Sequence, residues 1–144
     1  MPNPVRKDIL KNWNVVVVDD EPDSLVVAQR ILKYYGAIVH KATNGQEGLD
    51  MVRQVRPRFV ISDLSMPVMD GWEMLSALKQ DRATINIPVI ALTAHAMLGD
   101  RERAMAAGFH NHLTKPLTAG TFMRDLLTVL DEIPALAADL SREG

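Results

Sequence analysis

The sequence of 144 residues contains no cysteine. Disulfide bonds and thiolate metal sites are therefore excluded, and the composition is typical of a reducing compartment. No apolar run approaches the roughly 18 residues of a membrane span, and residues 1–8 lack the apolar core of a signal peptide. We therefore expect neither secretion nor contact with a membrane, and we predict a cytoplasmic location.

The sequence also lacks an excess of charge of either sign. Its 16 Lys and Arg residues nearly balance its 18 Asp and Glu residues, for a formal net charge of -2. Nucleic-acid-binding domains usually carry a clustered basic face, so we expect no nucleic acid partner. Aromatic residues are also few, at 5%, but the 47% of hydrophobic residues is ordinary for a globular protein of one domain.

Four short apolar runs are present, and each is followed by a polar residue that can take part in chemistry. The runs are Val15–Val18 before Asp19-Asp20, Phe59–Ser62 before Asp63, Val89–Leu92 before Thr93, and Phe109–Thr114 before Lys115-Pro116. Short β-branched runs bounded by polar residues are typical of strands that are buried on both faces of a parallel sheet. The four runs are thus predicted to be neighbouring core strands.

Segments with helical periodicity alternate with these runs, which indicates βαβ units. We predict strands at about 14–19, 38–41, 58–62, 88–92 and 109–113, and helices at about 23–35, 45–56, 71–81, 99–107 and 118–131. Asn44 is a candidate N-cap of the second helix, and Gly36 and Gly108 are expected to end the first and fourth helices. The chain is therefore predicted to be an α/β domain.

The polar residues at the strand ends form a chemically coherent set. Ligands bind outside the carboxyl ends of strands in open parallel sheets, so three carboxylates, one hydroxyl and one ammonium are expected to converge there. Mg²⁺ prefers carboxylate oxygens and bridges to phosphate oxygens. An isolated Asp19-Asp20-Glu21 could simply supply favourable charge at a helix start. With Asp63 nearby the carboxylates would repel one another, which favours a cation site.

The order and context of these residues resemble the receiver domain of response regulators in two-component signalling. The matching stretches are Val-Asp-Asp-Glu-Pro at 18–22, Ser-Asp-Leu-Ser-Met-Pro-Val-Met-Asp-Gly-Trp-Glu at 62–73, Ala-Leu-Thr-Ala at 91–94 and Lys-Pro at 115–116. With right-handed crossovers, the resemblance implies a flavodoxin-like fold: a doubly wound (βα)5 three-layer sandwich with a parallel sheet of order 2-1-3-4-5. The stretch from Ala91 to Met97 resembles receivers of stand-alone cell-cycle regulators and hybrid kinases.

The resemblance also implies roles for the acidic residues. Asp63 would be the nucleophile that becomes an aspartyl-phosphate, and the protein would catalyse only its own phosphorylation and dephosphorylation. Asp20 and Asp63 would bind Mg²⁺ directly, Asp19 would act through water, and the backbone carbonyl of Ser65 would be a further ligand. Ser65 and His95 occupy positions that tune dephosphorylation in this family.

Three further residues are implicated in the phosphorylated state. Lys115 would offset phosphoryl charge, and the family holds the Lys115-Pro116 bond in cis. Thr93 would act as a switch by moving its hydroxyl toward the phosphoryl group, and His112 would follow. Because Tyr or Phe is more usual at that second position, the alternative is that His112 is only a partly exposed strand residue.

The partners that the resemblance implies are proteins. The phosphodonor would be a histidine kinase or a histidine phosphotransfer protein in a phosphorelay, and output would reach a downstream protein target. The predicted output surface combines the fourth helix, the fifth strand and the fifth helix. Its candidate residues are Arg101, Glu102, Met105, His112, Phe122 and Met123.

Three other functions fit the sequence less well than this one. A phosphohydrolase of the haloacid-dehalogenase type needs a second Asp two residues after the nucleophile, where this chain has Ser65. A nucleotide-binding module needs a phosphate-binding loop, and Gly45-Gln-Glu-Gly48 matches neither common pattern. A receiver fold used only for constitutive binding would be expected if Asp63 or Lys115 were replaced, and both are present.

The two ends of the chain fall outside the predicted receiver unit at 13–131. Residues 1–12 contain proline and polar residues, so we expect a mobile or loosely docked extension. Residues 132–144 form a tail that could extend the fifth helix past Pro134 or make one apolar-faced turn.

Overall fold

The structure is a computed structural model, which describes residues 6–93 and 100–140. Eleven elements follow one another in the order β1 (Asn14–Val18), α1 (Pro22–Tyr34), β2 (Ile38–Ala42), α2 (Gly45–Val55), β3 (Phe59–Asp63), α3 (Gly71–Lys79), β4 (Val89–Thr93), α4 (Asp100–Ala107), β5 (Asn111–Thr114), α5 (Ala119–Asp131) and α6 (Pro134–Leu140). Within the described ranges, no helix is both long and apolar enough to cross a membrane.

The five strands form one parallel sheet in the order β2-β1-β3-β4-β5. This order confirms the predicted doubly wound, flavodoxin-like fold. The register brings the ends of the central strands level, because Val18 lies opposite Ser62 and Asp63 lies opposite Leu92. The residues that follow these positions therefore emerge at one edge of the sheet.

Strands β1, β3 and β4 are buried on both faces, as their continuous apolar runs indicate, whereas the edge strands β2 and β5 are only partly buried. Val15 and Val17 of β1 belong to the core cluster that α1, α5 and α6 cover, whereas Val16 and Val18 belong to the cluster that α2, α3 and α4 cover. Side chains alternate between faces along a strand, so every residue of such a run is apolar. Full burial of each valine contributes about 1.5–3 kcal/mol.

The predicted helix signals hold where the structure describes them. The side chain of Asn44 accepts a hydrogen bond of 2.9 Å from the backbone N–H of Glu47, so it caps α2 as expected. Gly108 follows α4 with a φ of 115°, a left-handed conformation that glycine adopts without strain. The start of α2 and the end of α4 therefore lie where the sequence indicates, whereas α3 ends at Lys79, two residues before the predicted end.

The N-terminal segment differs from the expectation of a mobile or loosely docked extension. Leu10 is fully buried, and its backbone N–H donates to the carbonyl of Tyr35 at 2.9 Å. The N–H of Asn12 donates to the carbonyl of Gly36 at 3.1 Å. Residues 6–12 are therefore docked on the end of α1, at the amino edge of the sheet.

The C-terminal residues up to 140 form a separate helix, α6, which begins at Pro134 and packs on the same edge. Leu136 is 4% exposed and joins the core cluster of α1 and α5. Asp139 forms an ion pair with Arg58, whose guanidinium lies 4.3 Å from the ring centroid of Trp13. The helix therefore covers the edge of the sheet that is opposite the carboxyl ends of the strands.

Candidate functional site

The carboxyl edge of the sheet gathers the residues that the sequence singles out. Asp19 follows β1, Asp63 is the last residue of β3, Thr93 is the last residue of β4, and Lys115 follows β5. Since all strands are parallel, these residues lie along a single edge. The convergence predicted from the four apolar runs is therefore present.

Three carboxylates form an acidic cluster at this edge. One oxygen from each of Asp19, Asp20 and Asp63 lies within 4.8 Å of the other two. Asp19 is fully buried, the side chain of Asp63 is 14% exposed, and Asp20 is exposed. Like charges at such distances repel one another, so the cluster needs a positive charge among its oxygens.

Asp19 is the most deeply buried of the three. Its Oδ1 accepts the backbone N–H of Glu21 at 2.9 Å. Burial raises the pKa of Asp19 to about 6, against the opposing effects of that N–H and of the Lys115 ammonium. Its Oδ2 lies 3.0 Å from Lys115 Nζ, although in a geometry that gives this oxygen no hydrogen bond among the described residues. The buried carboxylate therefore retains capacity for a further positive ligand.

Lys115 supplies the positive charge that the described residues place in the cluster. Its Nζ lies 3.0 Å from Asp19 Oδ2 and 3.2 Å from Asp63 Oδ2, and it also contacts Glu21 Oε1. Burial alone would lower the pKa of Lys115, but the neighbouring carboxylates raise it above its ordinary value. The ammonium is therefore held charged, and the Lys115-Pro116 bond is cis, as the resemblance implied.

The two oxygens of Asp63 have different surroundings. Oδ1 accepts the backbone N–H of Leu64 at 2.7 Å and that of Ser65 at 3.3 Å. Oδ2 accepts a hydrogen bond of 3.2 Å from Lys115 Nζ. The main chain therefore fixes the orientation of the carboxylate, while one oxygen faces the ammonium. For Ser65, the metal-binding role of its carbonyl stays a prediction.

The loop after Asp63 returns tightly to the same strand end. The N–H of Gly71 donates to the carbonyl of Leu64 at 3.0 Å, and a Cβ at Gly71 would lie 2.3 Å from the carbonyl oxygen of Asp63. Asp70 and Glu73 form a capping box at the start of α3. The Asp-x-x-Glu spacing could have revealed this cap in the sequence. The first residue of α3 therefore packs directly against the backbone of Asp63.

The two predicted switch residues lie on neighbouring strands. Thr93 is 5% exposed, and its hydroxyl donates to the carbonyl of Leu113 on β5 at 3.4 Å. His112 lies opposite Ala91 and is half-buried, and its Nδ1 has no hydrogen-bond partner among the described residues. Burial, with a smaller effect of Arg101, lowers the pKa of His112. Their coupling stays a prediction.

Two candidates for the output surface are wrong. Phe122 and Met123 are 3% and 1% exposed, because the buried face of α5 includes both of these adjacent positions. Arg101, Glu102 and Met105 are exposed on α4 as expected. His95 lies outside the described residues.

The site fits a divalent cation. Its donors are carboxylate oxygens, the ligands that Mg²⁺ prefers, and the buried Oδ2 of Asp19 lacks a hydrogen bond among the described residues. Asp19, Asp20 and Asp63 could hold the ion together, at a place that also faces the Lys115 ammonium.

The family of the chain follows from most of its length as well as from this site. A family model described as the response regulator receiver domain matches residues 15–127. The chain belongs to this family. Receivers are components of two-component signalling and are not enzymes in the ordinary sense, and they interact with histidine kinases and other proteins.

Relatives of this receiver agree with the assignment. The polar-differentiation response regulator DivK of Brucella anthropi is 31% identical over 119 residues, which span 83% of this chain and 97% of DivK. The structure of the chemotaxis response regulator CheY4 of Vibrio cholerae matches with a TM-score of 0.78 at 28% identity, over 83% of this chain and 100% of CheY4.

A third similar structure bears on the metal. The receiver domain of a sensor histidine kinase from Pseudomonas aeruginosa has a TM-score of 0.73 and 27% identity, over 81% of this chain and 96% of that domain. That structure contains a magnesium ion coordinated in the active-site cleft. The acidic cluster of the present receiver is compatible with Mg²⁺ and with an aspartyl-phosphate.

Proposed function

We propose that this receiver accepts a phosphoryl group on Asp63 from a phosphohistidine of a histidine kinase or phosphotransfer protein, in a Mg²⁺-dependent reaction in the cytoplasm. The observation that carries the proposal is the environment of Asp63. Two backbone N–H groups hold its Oδ1, and its Oδ2 faces the Lys115 ammonium within the acidic cluster. A carboxylate fixed in this way presents one oxygen for attack.

The transfer is a displacement at phosphorus. An oxygen of Asp63 attacks the phosphorus in line with the P–N bond, so that an O–P bond forms as the P–N bond breaks. The electron pair of the broken bond stays on the departing imidazole nitrogen of the donor. Lys115 offsets the charge on the equatorial phosphoryl oxygens, and the backbone donors to Asp63 keep the carboxylate oriented.

Asp19, Asp20 and Asp63 are the residues that would hold Mg²⁺, with the Ser65 carbonyl as a further ligand. When bound, the ion supplies positive charge close to the phosphoryl oxygens. Asp19 is buried and fixed by the N–H of Glu21, so it is suited to keep a constant position.

The signal is a population shift between two conformations of the domain. Thr93 and His112 are the switch residues, and α4, β5 and α5 form the surface that a downstream protein reads. In the present structure the Thr93 hydroxyl donates to the Leu113 carbonyl, a long bond of 3.4 Å. Such a bond is weak enough to be exchanged for one to a phosphoryl oxygen.

The test is intact mass after incubation with acetyl phosphate, with Mg²⁺ and with a chelator. We expect one base-labile phosphoryl adduct that requires Mg²⁺ and is absent in Asp63→Asn, because an amide cannot serve as the nucleophile. Asp23→Asn, the same change at an exposed carboxylate in the first turn of α1, is the control and is expected to be labelled.

Two results would overturn the proposal. Undiminished labelling of Asp63→Asn would show that another group accepts the phosphoryl. Failure of the folded wild-type protein to form an adduct, with acetyl phosphate and with phosphohistidine donors, would favour a binding module that acts without phosphorylation.

A further inference from the structure

The side chain of Glu21 forms an ion pair that is unrelated to its position at the start of α1. It is the N-cap residue of α1, but its side chain makes no capping hydrogen bond. The side chain is 61% exposed, and instead of capping the helix it pairs with Lys115. The pair joins the loop after β1 to the residue after β5 across the mouth of the site.

This contact competes with the chemistry of Lys115. An ammonium has three N–H donors, and in this structure Nζ contacts three carboxylates, those of Asp19, Glu21 and Asp63. A phosphoryl group arriving at Asp63 needs at least one of these donors. Among the described residues Nζ donates hydrogen bonds to Glu21 and Asp63 and not to Asp19, so the phosphoryl group competes with these two carboxylates for the ammonium.

The exposure of the three carboxylates indicates which contact is lost. Asp19 is 0% exposed, and leaving a buried carboxylate without its positive partner is costly. Asp63 is where the phosphoryl group forms. Glu21 can return to water at little cost, since its side chain is largely solvated already.

We infer that Glu21 is a positioning residue that holds the Lys115 ammonium at the mouth of the resting site and thereby slows phosphorylation of Asp63. This inference rests on the proposed phosphoacceptor function. The contact stabilises the ground state and is absent from the transition state, so removing it speeds the transfer. Once Asp63 is phosphorylated the contact has already been lost, so the lifetime of the adduct does not depend on Glu21.

The experiment compares the apparent second-order rate constant of labelling by acetyl phosphate, at fixed Mg²⁺ and ionic strength, in the wild type and three variants. Glu21→Gln is expected to raise it by a factor of about 1.4 to 5, the range that corresponds to an exposed ion pair. Glu21→Asp keeps the charge but shortens the side chain, and a comparable rise is expected. Asp23→Asn removes an exposed charge that is not among the described contacts of Lys115, and a rate close to wild type is expected.

Two further readouts separate positioning from a structural effect. The hydrolysis rate of the adduct is expected to be equal in wild type and Glu21→Gln. In the unphosphorylated protein, the NMR resonances of the Lys115 ε-methylene are expected to shift in Glu21→Gln and not in Asp23→Asn. The second readout does not depend on phosphorylation.

The inference fails if the wild type is labelled and Glu21→Gln is labelled at the same rate. It also fails if Glu21→Asp behaves as wild type while Glu21→Gln is faster, because net charge would then explain the effect. If the wild-type protein forms no adduct and the Lys115 resonances ignore Glu21, both the proposed function and this inference fail. If the wild-type protein forms no adduct but the Lys115 resonances shift in Glu21→Gln, the contact between Glu21 and Lys115 is confirmed. Its proposed effect on phosphorylation is then rejected.

Discussion

Replacement of Gly71 by alanine tests how closely the start of α3 packs against Asp63. The new methyl group would lie 2.3 Å from the carbonyl oxygen of Asp63 and 3.1 Å from Cα of Leu64. Carbon and carbonyl oxygen pack at about 3.3 Å. The main chain must therefore open by about 1 Å, since no side-chain rotation can remove a contact with backbone atoms.

The cost of this opening can be estimated from overpacked cores, where an extra methyl group costs about 1–3 kcal/mol. We expect the upper end, about 3 kcal/mol of unfolding free energy, because both partners belong to the backbone. For a domain of this size that corresponds to a fall in Tm of about 10 °C. A displacement of about 1 Å at a reacting group can cost about a hundredfold in rate, so labelling of Asp63 should fall steeply.

The matched control is Gly120→Ala in α5, where a Cβ would meet no atom within 4 Å. That variant is expected to gain about 0.5 kcal/mol, because alanine restricts the unfolded chain. Urea unfolding and acetyl phosphate labelling of both variants provide the comparison. Wild-type stability and wild-type labelling of Gly71→Ala would refute the close approach.

Three other predictions concern separate parts of the molecule. Lys115→Ala is expected to retain Mg²⁺ binding, because the three aspartates remain, and to slow labelling of Asp63; unchanged labelling kinetics would refute the role of the ammonium. Leu136→Ala is expected to lower the free energy of unfolding by about 2–3 kcal/mol, the lower end for buried leucines because α6 lies at the periphery, and urea unfolding with no change would mean that α6 contributes nothing. NMR titration should place the pKa of His112 below its ordinary value of 6.5, with a partial rise in Arg101→Gln, since burial is the larger cause. The folded protein then binds this proton less readily than the unfolded chain, so His112 lowers stability as the pH falls through 6.5, and a pKa at or above 6.5 would contradict the observed burial.

Strands β1, β3 and β4 were predictable because they are buried on both faces. Each strand is then a continuous apolar run with an abrupt polar end, as in Val15–Val18 before Asp19. The same abrupt ends identified Asp63, Thr93 and Lys115. The family motifs added the strand order, which the alternation of strands and helices leaves open.

Ion pairs between residues that are far apart in the sequence were not predictable. Glu21 next to Asp20 is indistinguishable in sequence from an ordinary acidic residue at a helix start, and its pairing with Lys115 spans 94 positions. The ion pair of Arg58 with Asp139 spans 81 positions. Such pairs depend on the assembled fold and leave no local pattern.

The burial of Leu10 and of two residues in α5 was not predicted, for a different reason. The prolines and charges of residues 1–12 masked the fully buried Leu10, which anchors the segment in the core together with the partly buried Ile9. In α5, Phe122 and Met123 are adjacent, and the helix buries both because its apolar face is wide. Composition averaged over a segment therefore underestimates the effect of one well-placed side chain.

The docked segments at the amino edge set the smallest piece of this chain that keeps its core intact. Leu10 and Leu136 belong to one core cluster, yet both lie outside the range 15–127 that matches the family. A fragment trimmed to that range would lose both side chains and leave Arg58 without Asp139 and Trp13. Recombinant versions that are used to find kinases or targets therefore need at least residues 6–140, since a shorter one would report on a damaged domain.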